Sequence, residues 1–457
     1  MKSSQLFPKT YKTMQIPLII MSALLMLASC GHAAHRNKSK GDTASIAERQ
    51  KTAAQKDGYD FEYRALCTPT NNNPKEFGIE GTNNVDNDWS LWGHNLWKIV
   101  GKKPPKEVFA LIENRRDSSQ YCFSSPALYG IIDHWIADQW GPSGGRFTIM
   151  PADNKKVCQC PLCRKAGNTA SSATPAVAAM LDKLARKYPR HQFFMTAYHT
   201  TKEPPAKALP DNAGVMLSTM AIPMRYSFRE SGGFRNFDSM LQAWRKVTPL
   251  LYVWEYDRNF DDYLTPYPCL MIMQQRLQYY KEAGITGVFI NGSGYDYSTF
   301  DDVQTYVLAR LLQDVDTDVD ATVREFYKKY YPLCGEMIAD YYLTLEYRLQ
   351  ETNYVMPYYG TIKEAIEAYL DPKEFTNFWI SLDSESKAIK GTERQYINRM
   401  LTATSYTRLQ LNPSPEDRAE LLLVLKDYKS VPGLLNYKET NGALDKYLKK
   451  MGVKETK

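Results

Sequence analysis

The chain has 457 residues, with 24% charged and 43% apolar side chains and a net charge of +6. Such a composition is that of an ordinary globular protein, long enough for one large domain and a smaller one. The positive excess is spread without long basic runs, which argues against a nucleic-acid partner. The unusual feature is aromatic: 32 Tyr and 8 Trp, side chains whose flat apolar face and polar tip suit sugar-binding surfaces as well as cores.

At the N-terminus Lys2, Lys9 and Lys12 precede an apolar run from Ile16 to Leu27, and Leu27-Ala-Ser-Cys30 follows with Gly31 after it. A basic flank, a short apolar core and small residues before the cut make a secretory signal rather than a membrane span. The cysteine at the cut resembles a bacterial lipobox, so residues 1–30 are expected to be a lipoprotein signal and Cys30 the lipidated residue. Residues 31–57 are polar and read as a tether to the membrane. The expected location is the cell envelope, with the lipid anchored in the outer membrane. Export puts the other seven cysteines where disulfides persist.

From Asp60 onward strand-like runs alternate with helical ones, the pattern of parallel βαβ units. Eight strands are expected in chain order. The first is Phe61-Glu-Tyr-Arg-Ala-Leu66 and the second Asp88-Trp-Ser-Leu-Trp92, leading into Gly93-His94-Asn95. The third, Gln120-Tyr-Cys-Phe123, is followed by a helix start at Ser124-Ser125-Pro126. The fourth, from Arg146 to Met150, ends before Pro151; its helix runs from about Pro175 to Tyr188, with Val177, Met180, Leu181 and Leu184 on one face. The fifth and sixth are Gln192–Tyr198 and Gly214–Ser218. The seventh is Leu250–Tyr256, after which a helix from Leu270 to Ala283 stops at Gly284. The eighth is Thr286–Asn291. Eight strand–helix units over residues 58–315 predict an α/β (β/α)8 TIM-like barrel, with a doubly wound open sheet as the alternative. Residues 316–457 show only helical periodicity and read as an all-helical C-terminal domain docked on the barrel.

In such a barrel, chemistry sits at the C-terminal strand ends. Glycosidic cleavage needs two carboxyl groups, one protonated to assist the leaving oxygen and one ionised as nucleophile or base. Asp153 after the fourth strand and Glu255 on the seventh are the expected pair, Asp153 as acid and Glu255 as nucleophile or base, with Asp257 and Asp296 as understudies to Glu255. His94, Asn291 and Asp296 are candidates to hydrogen-bond a substrate. Trp92, Trp97, Tyr198, Trp254, Tyr256 and Tyr295 are candidates to stack on its rings. Taken singly, each of these aromatics is more often core than platform, and His94 is equally a structural histidine. No cofactor is expected for catalysis. Just beyond Asp153, Cys158, Cys160 and Cys163 have C-x-C-x-x-C spacing. With Cys122 they suit a closed structural zinc site; the rivals are disulfides, with Cys122 or Cys67 as outside partners, and free thiols. Either would stiffen the loop beyond the acid. No P-loop, dinucleotide fingerprint, G-x-S-x-G or H-E-x-x-H motif is present.

Phe61-Glu-Tyr-Arg64, Trp92-Gly-His94, Tyr121-Cys-Phe-Ser-Ser-Pro126, Pro151-Ala-Asp153 with the cysteine triplet, Thr196-Ala-Tyr198 with Pro204-Pro205, and Trp254-Glu-Tyr256 together resemble a family of Bacteroidota lipoproteins known as domain of unknown function 4838. The likeness spans roughly Asp60 to Tyr331. That family is similar to the catalytic barrels of α-glucuronidases and family-20 hexosaminidases, which implies a barrel fold and a carbohydrate substrate. Two departures limit it. Family members carry Asn-Asp-Gly where this chain has Ala152-Asp153-Asn154. No Glu follows Asp153, so the acetamido-assisted mechanism of family-20 enzymes is not carried over. The expectation is therefore a glycoside hydrolase-like surface lipoprotein. The alternatives are a non-catalytic glycan-binding lipoprotein on the same scaffold and a structural lipoprotein that docks a partner through its helices.

Overall fold

The computed structural model describes residues 58–453 apart from Ser143, Asp427 and Leu435; the expected signal, Cys30 and the tether lie outside the described residues. Among the described residues eight strands form: β1 (Tyr63–Cys67), β2 (Phe109–Ile112), β3 (Arg115–Tyr121), β4 (Arg146–Thr148), β5 (Gln192–Ala197), β6 (Ala213–Ser218), β7 (Leu251–Tyr256) and β8 (Gly287–Asn291). Six of them make one sheet in the order β1-β8-β7-β6-β5-β4, parallel throughout. Apart from Ser218 every residue of these six strands is buried, as expected where both faces of a parallel sheet are covered.

The sheet curls into a half-barrel. Laid flat, its outer strands β1 and β4 would stand about 24 Å apart, five spacings of ~4.8 Å. Instead the Arg146 guanidinium at the start of β4 sits 4.6 Å from the centre of the Tyr63 ring on β1, and Tyr63 stacks on Tyr252 of β7 at 5.4 Å. Irregular chain spans the gap between the outer strands. Asn83 N donates to Arg64 O (2.7 Å) on the β1 side, and Thr148 N donates to Leu91 O (2.9 Å) on the β4 side.

Two of the eight expected strands are therefore corrected. Residues 88–92 contribute a single bridge, Leu91 to Phe147. The preceding Val85–Asp88 turn is helical because the Asn84 side chain caps it by accepting from Asp86 N. Gln120 and Tyr121 end β3, which pairs antiparallel with β2 in a separate two-stranded sheet. That hairpin closes through Glu113 and Asn114, both at positive φ (46° and 62°), the two-residue geometry that matches strand twist. No Asn-Gly or Asp-Gly pair announces it.

After Asn291 the described chain is helical, and its apolar side chains join the same core cluster as the strands. One polar contact fixes the junction. The helix Leu270–Glu282 has no side-chain cap of its own; Glu346, from the helix Gly335–Thr352, accepts from Leu270 N (2.9 Å) and Met271 N (3.2 Å). A carboxylate at a helix N-terminus satisfies orphan donors and complements the dipole. Glu346→Ala strips both amides of their acceptor and is expected to cost about 2–4 kcal/mol in urea unfolding at pH 7. A loss near zero would show that this cap does not tie the halves together.

Candidate functional site

The C-terminal ends of β4 to β8 surround a small cleft. Trp254 and Tyr256 of β7 face it, and so do Thr196 of β5, Tyr198 just after it and Ser218 at the end of β6. His94, Asp153 and Asn291 complete the lining. Side chains alternate across a strand, so Trp254 and Tyr256 turn inward together and Glu255 between them turns out. Trp254 rests on Trp92, stacked at 4.9 Å, and both meet the Phe289 edge; Trp254 faces the cleft and the other two rings back it.

Asp153 is the acid of this cleft. Burial alone pushes its carboxyl up to about 6, and one oxygen, Oδ1, is buried without a hydrogen-bond partner. The turn that carries it is clamped by Gln120 on β3, which accepts from Ala152 N (3.0 Å) and donates to Ala152 O and Asn154 Oδ1 (3.1 Å each). Asn154 in turn donates to Ser119 O (2.8 Å). The departure Ala152-Asp153-Asn154 is thus a turn held by side-chain amides. Two histidines flank the acid. His94 is lifted over the cleft by Gly93, whose φ of +68° favours glycine, and is bound through Nδ1 to the Pro151 carbonyl. Burial is the main reason its pKa falls to about 4, so it is neutral at physiological pH. His199 Nε2 lies 3.6 Å from Asp153 Oδ1, on a backbone with φ +47° that costs a non-glycine residue energy and is often found at functional sites.

The other expected acids do not meet Asp153. Glu255 is fully buried on the outer face of β7 and saturated: Arg276 Nη1 (2.6 Å), Thr219 Oγ1 (2.7 Å), Tyr256 N (2.9 Å) and the Tyr280 hydroxyl all donate to it. It faces away from the cleft because strand parity put Trp254 and Tyr256 inside. Asp257 is buried against Arg258, Oδ2 to Nη1 at 3.2 Å, in a network with Asp301, and does not line the cleft. Asp296 accepts from Asn436 Nδ2 (3.1 Å). Tyr295, 40% exposed, bonds Asp86. Trp97 is on the surface, donating to Asn95 Oδ1 (2.9 Å). Trp92 backs Trp254 rather than lining the cleft. Of the residues expected to bind, His94, Tyr198, Trp254, Tyr256 and Asn291 gather around Asp153. Sequence reasoning missed Thr196 and Ser218, though period two from Tyr198 and the strand-end rule point to both.

Cys122, Cys158, Cys160 and Cys163 form a buried cluster whose sulfurs all lie within 4.8 Å of one another, a set able to hold a metal ion. Cys122 Sγ is 3.5 Å from Cys160 Sγ and 3.6 Å from Cys163 Sγ. All four are free thiols, so the disulfide alternative does not describe them, and Cys122 rather than Cys67 is the fourth member. The cluster joins three pieces of chain: the end of the β2–β3 hairpin, the loop after Asp153, and the short helix Pro161–Ala166. Leu111 N donates to Cys158 Sγ (3.2 Å) and Cys163 N to Cys160 Sγ (3.4 Å), bonds that fix where these sulfurs point.

A family model described as a domain of unknown function, DUF4838, matches residues 42–344, well over half of the chain. The chain belongs to the DUF4838 family. No curated protein matches it. The cleft lining and the four cysteines all fall within the span matched to DUF4838. Glu439 lies beyond that span, half-buried and anchored by its backbone N–H on Phe260 O (3.1 Å), and the Phe260 ring packs edge-on to Tyr256. Burial first, then the charges of Asp261 and Asp153, push the Glu439 carboxyl up to about 7. A second acid thus stands within electrostatic reach of Asp153, supplied by the helical region. Sequence reasoning missed it because that region carries no motif.

Proposed function

We propose that this protein is a glycoside hydrolase-like enzyme, an exported lipoprotein anchored through Cys30, that cleaves a poly- or oligosaccharide with Asp153 as the proton donor. The observation that carries the reading is one carboxyl with a raised pKa and an unpartnered oxygen, set among aromatic faces at the C-terminal ends of parallel strands. A carboxyl that holds its proton near pH 6 is what a leaving-group oxygen requires, and Tyr198, Trp254 and Tyr256 offer faces for pyranose rings. With Glu255 committed to Arg276, the second carboxyl group is assigned to Glu439. On this reading the half-barrel is a TIM-like barrel whose second and third strands have become irregular chain and a hairpin, and the helices beyond Val315 form a domain that completes the mouth. The test is release of reducing ends from an oligosaccharide panel by the parent and by Asp153→Asn and Glu439→Gln. The hydrolase stands if the parent cleaves and the Asn variant binds without cleaving.

One observation favours a second reading, a non-catalytic glycan-binding protein: the expected partner carboxylate, Glu255, is locked away. Binding without cleavage by the parent protein would select it.

The cysteine cluster is proposed to hold structural zinc. Tetrahedral Zn–S bonds of ~2.3 Å put sulfurs about 3.8 Å apart, close to the spacings seen, and a closed set of four thiolates leaves no position for catalysis. Elemental analysis is expected to find about one zinc per chain, lost in Cys160→Ser together with a lower melting temperature. Full stability of the parent after chelation would count against the metal.

A further inference from the structure

We infer that the cleft selects uncharged or amine-bearing sugars and turns away uronic-acid and sulfated ones, because an acid, Asp153, lines it and, among the described residues, no cation does. This rests on the carbohydrate reading above and narrows it.

Recognition of a sugar carboxylate or sulfate calls for an arginine fork, a lysine or a charged histidine. Among the described residues no Lys or Arg lines the cleft. Both histidines beside Asp153 are pushed down mainly by burial, His94 to about 4 and His199 in the same direction, so neither supplies a charge at neutral pH. The lysine felt by His199, Lys155, is exposed on the turn beyond the acid and, like Glu439, stands outside the lining. The large buried arginines of the half-barrel are already engaged. Arg276 serves Glu255, and Arg258 serves Asp257 and Asp301. Arg146 lies at the opposite, N-terminal end of β4, among the rings of Tyr63, Trp89 and Tyr252 and bonded to Gln192. No cation offsets the upward shift of Asp153, and Glu439 feels only further acids, Asp261 and Asp153. An anionic ring docking here would meet like charge in a partly desolvated space, where screening is weak. A neutral ring meets no such penalty. An ammonium group gains twice, from the unpartnered Asp153 oxygen and from the aromatic faces of Trp254 and Tyr256.

The test is a glycan array probed with full-length protein at about pH 7.5 and low salt, where charge is least screened, with neutral, amine-bearing, uronic and sulfated oligosaccharides. Ligands found are then titrated with the parent and with Glu439→Gln. Neutral or amine-bearing glycans are expected to bind at least tenfold more tightly than uronic or sulfated ones of the same length. Glu439→Gln is expected to narrow that gap at least threefold. Binding led by uronic or sulfated glycans overturns this inference and leaves the carbohydrate reading intact. An unchanged gap in the variant also overturns it, since negative charge beside the cleft is then not what discriminates. Silence across the whole array removes the carbohydrate reading and this inference with it.

Discussion

Glu255→Ala is expected to lower stability by about 3–5 kcal/mol, the cost of leaving a buried charge without its partner, and not to act as a catalytic knockout. Removing the carboxylate strands the fully buried Arg276 guanidinium and takes acceptors from Thr219, Tyr256 and Tyr280. For a domain whose whole stability is of the order of 5–15 kcal/mol, that is enough to unfold much of the population near body temperature. Urea denaturation in the cold measures the loss, and ligand binding at the same temperature separates the roles. Whatever remains folded should bind as the parent does. A variant of parental stability that has lost only activity would put Glu255 in the chemistry after all.

Asp153→Asn should do the reverse, lowering any cleavage rate about 10²–10⁴-fold, the usual worth of a general acid, while leaving the fold intact. The pH dependence follows from the direction of the shift. The carboxyl is raised from 3.8 to about 6 in the folded protein, so the folded state holds the proton more tightly than the unfolded one. Asp153 therefore favours folding most below about pH 4, and this contribution is lost as pH rises through about 6. The Asn variant should match the parent at about pH 4 and melt at a higher temperature at about pH 8. Parental activity should fall as pH climbs past about 6, because the donor then loses its proton. Equal melting temperatures at both pH values would mean that Asp153 is not desolvated, and the case for it as an acid would go with them.

Much of the scaffold is legible in the sequence because parallel strands buried on both faces read as short apolar runs. Those runs at 63–67, 192–197, 213–218, 251–256 and 287–291 need no partner to be recognised. Residues 88–92 mislead because a capped turn at Asn84 and a left-handed Gly93 break the extended path that their apolar content suggests. Gln120–Phe123 misleads because its strand is mostly polar and pairs with 109–112, in a hairpin that no turn motif marks. The strand-end rule finds Asp153 and misplaces Glu255. A position at a strand end says nothing of which face the side chain takes, and the two flanking aromatics of β7 claim the inner one.

The sequence by itself determined the order of most strands and helices, the family, the acid after β4 and the cysteine triplet, because each is written in contiguous residues within a few turns of chain. Only the tertiary structure decided that Glu255 pairs with Arg276, that Cys122 closes the cysteine cluster, that Gln120 holds the Asp153 turn, and that Glu439, from the far end of the chain, comes within electrostatic reach of Asp153. Those choices depend on contacts between residues dozens to hundreds of positions apart, and on which side of a strand faces the interior. Local patterning constrains neither; the curl of the sheet and the competition for buried space settle both.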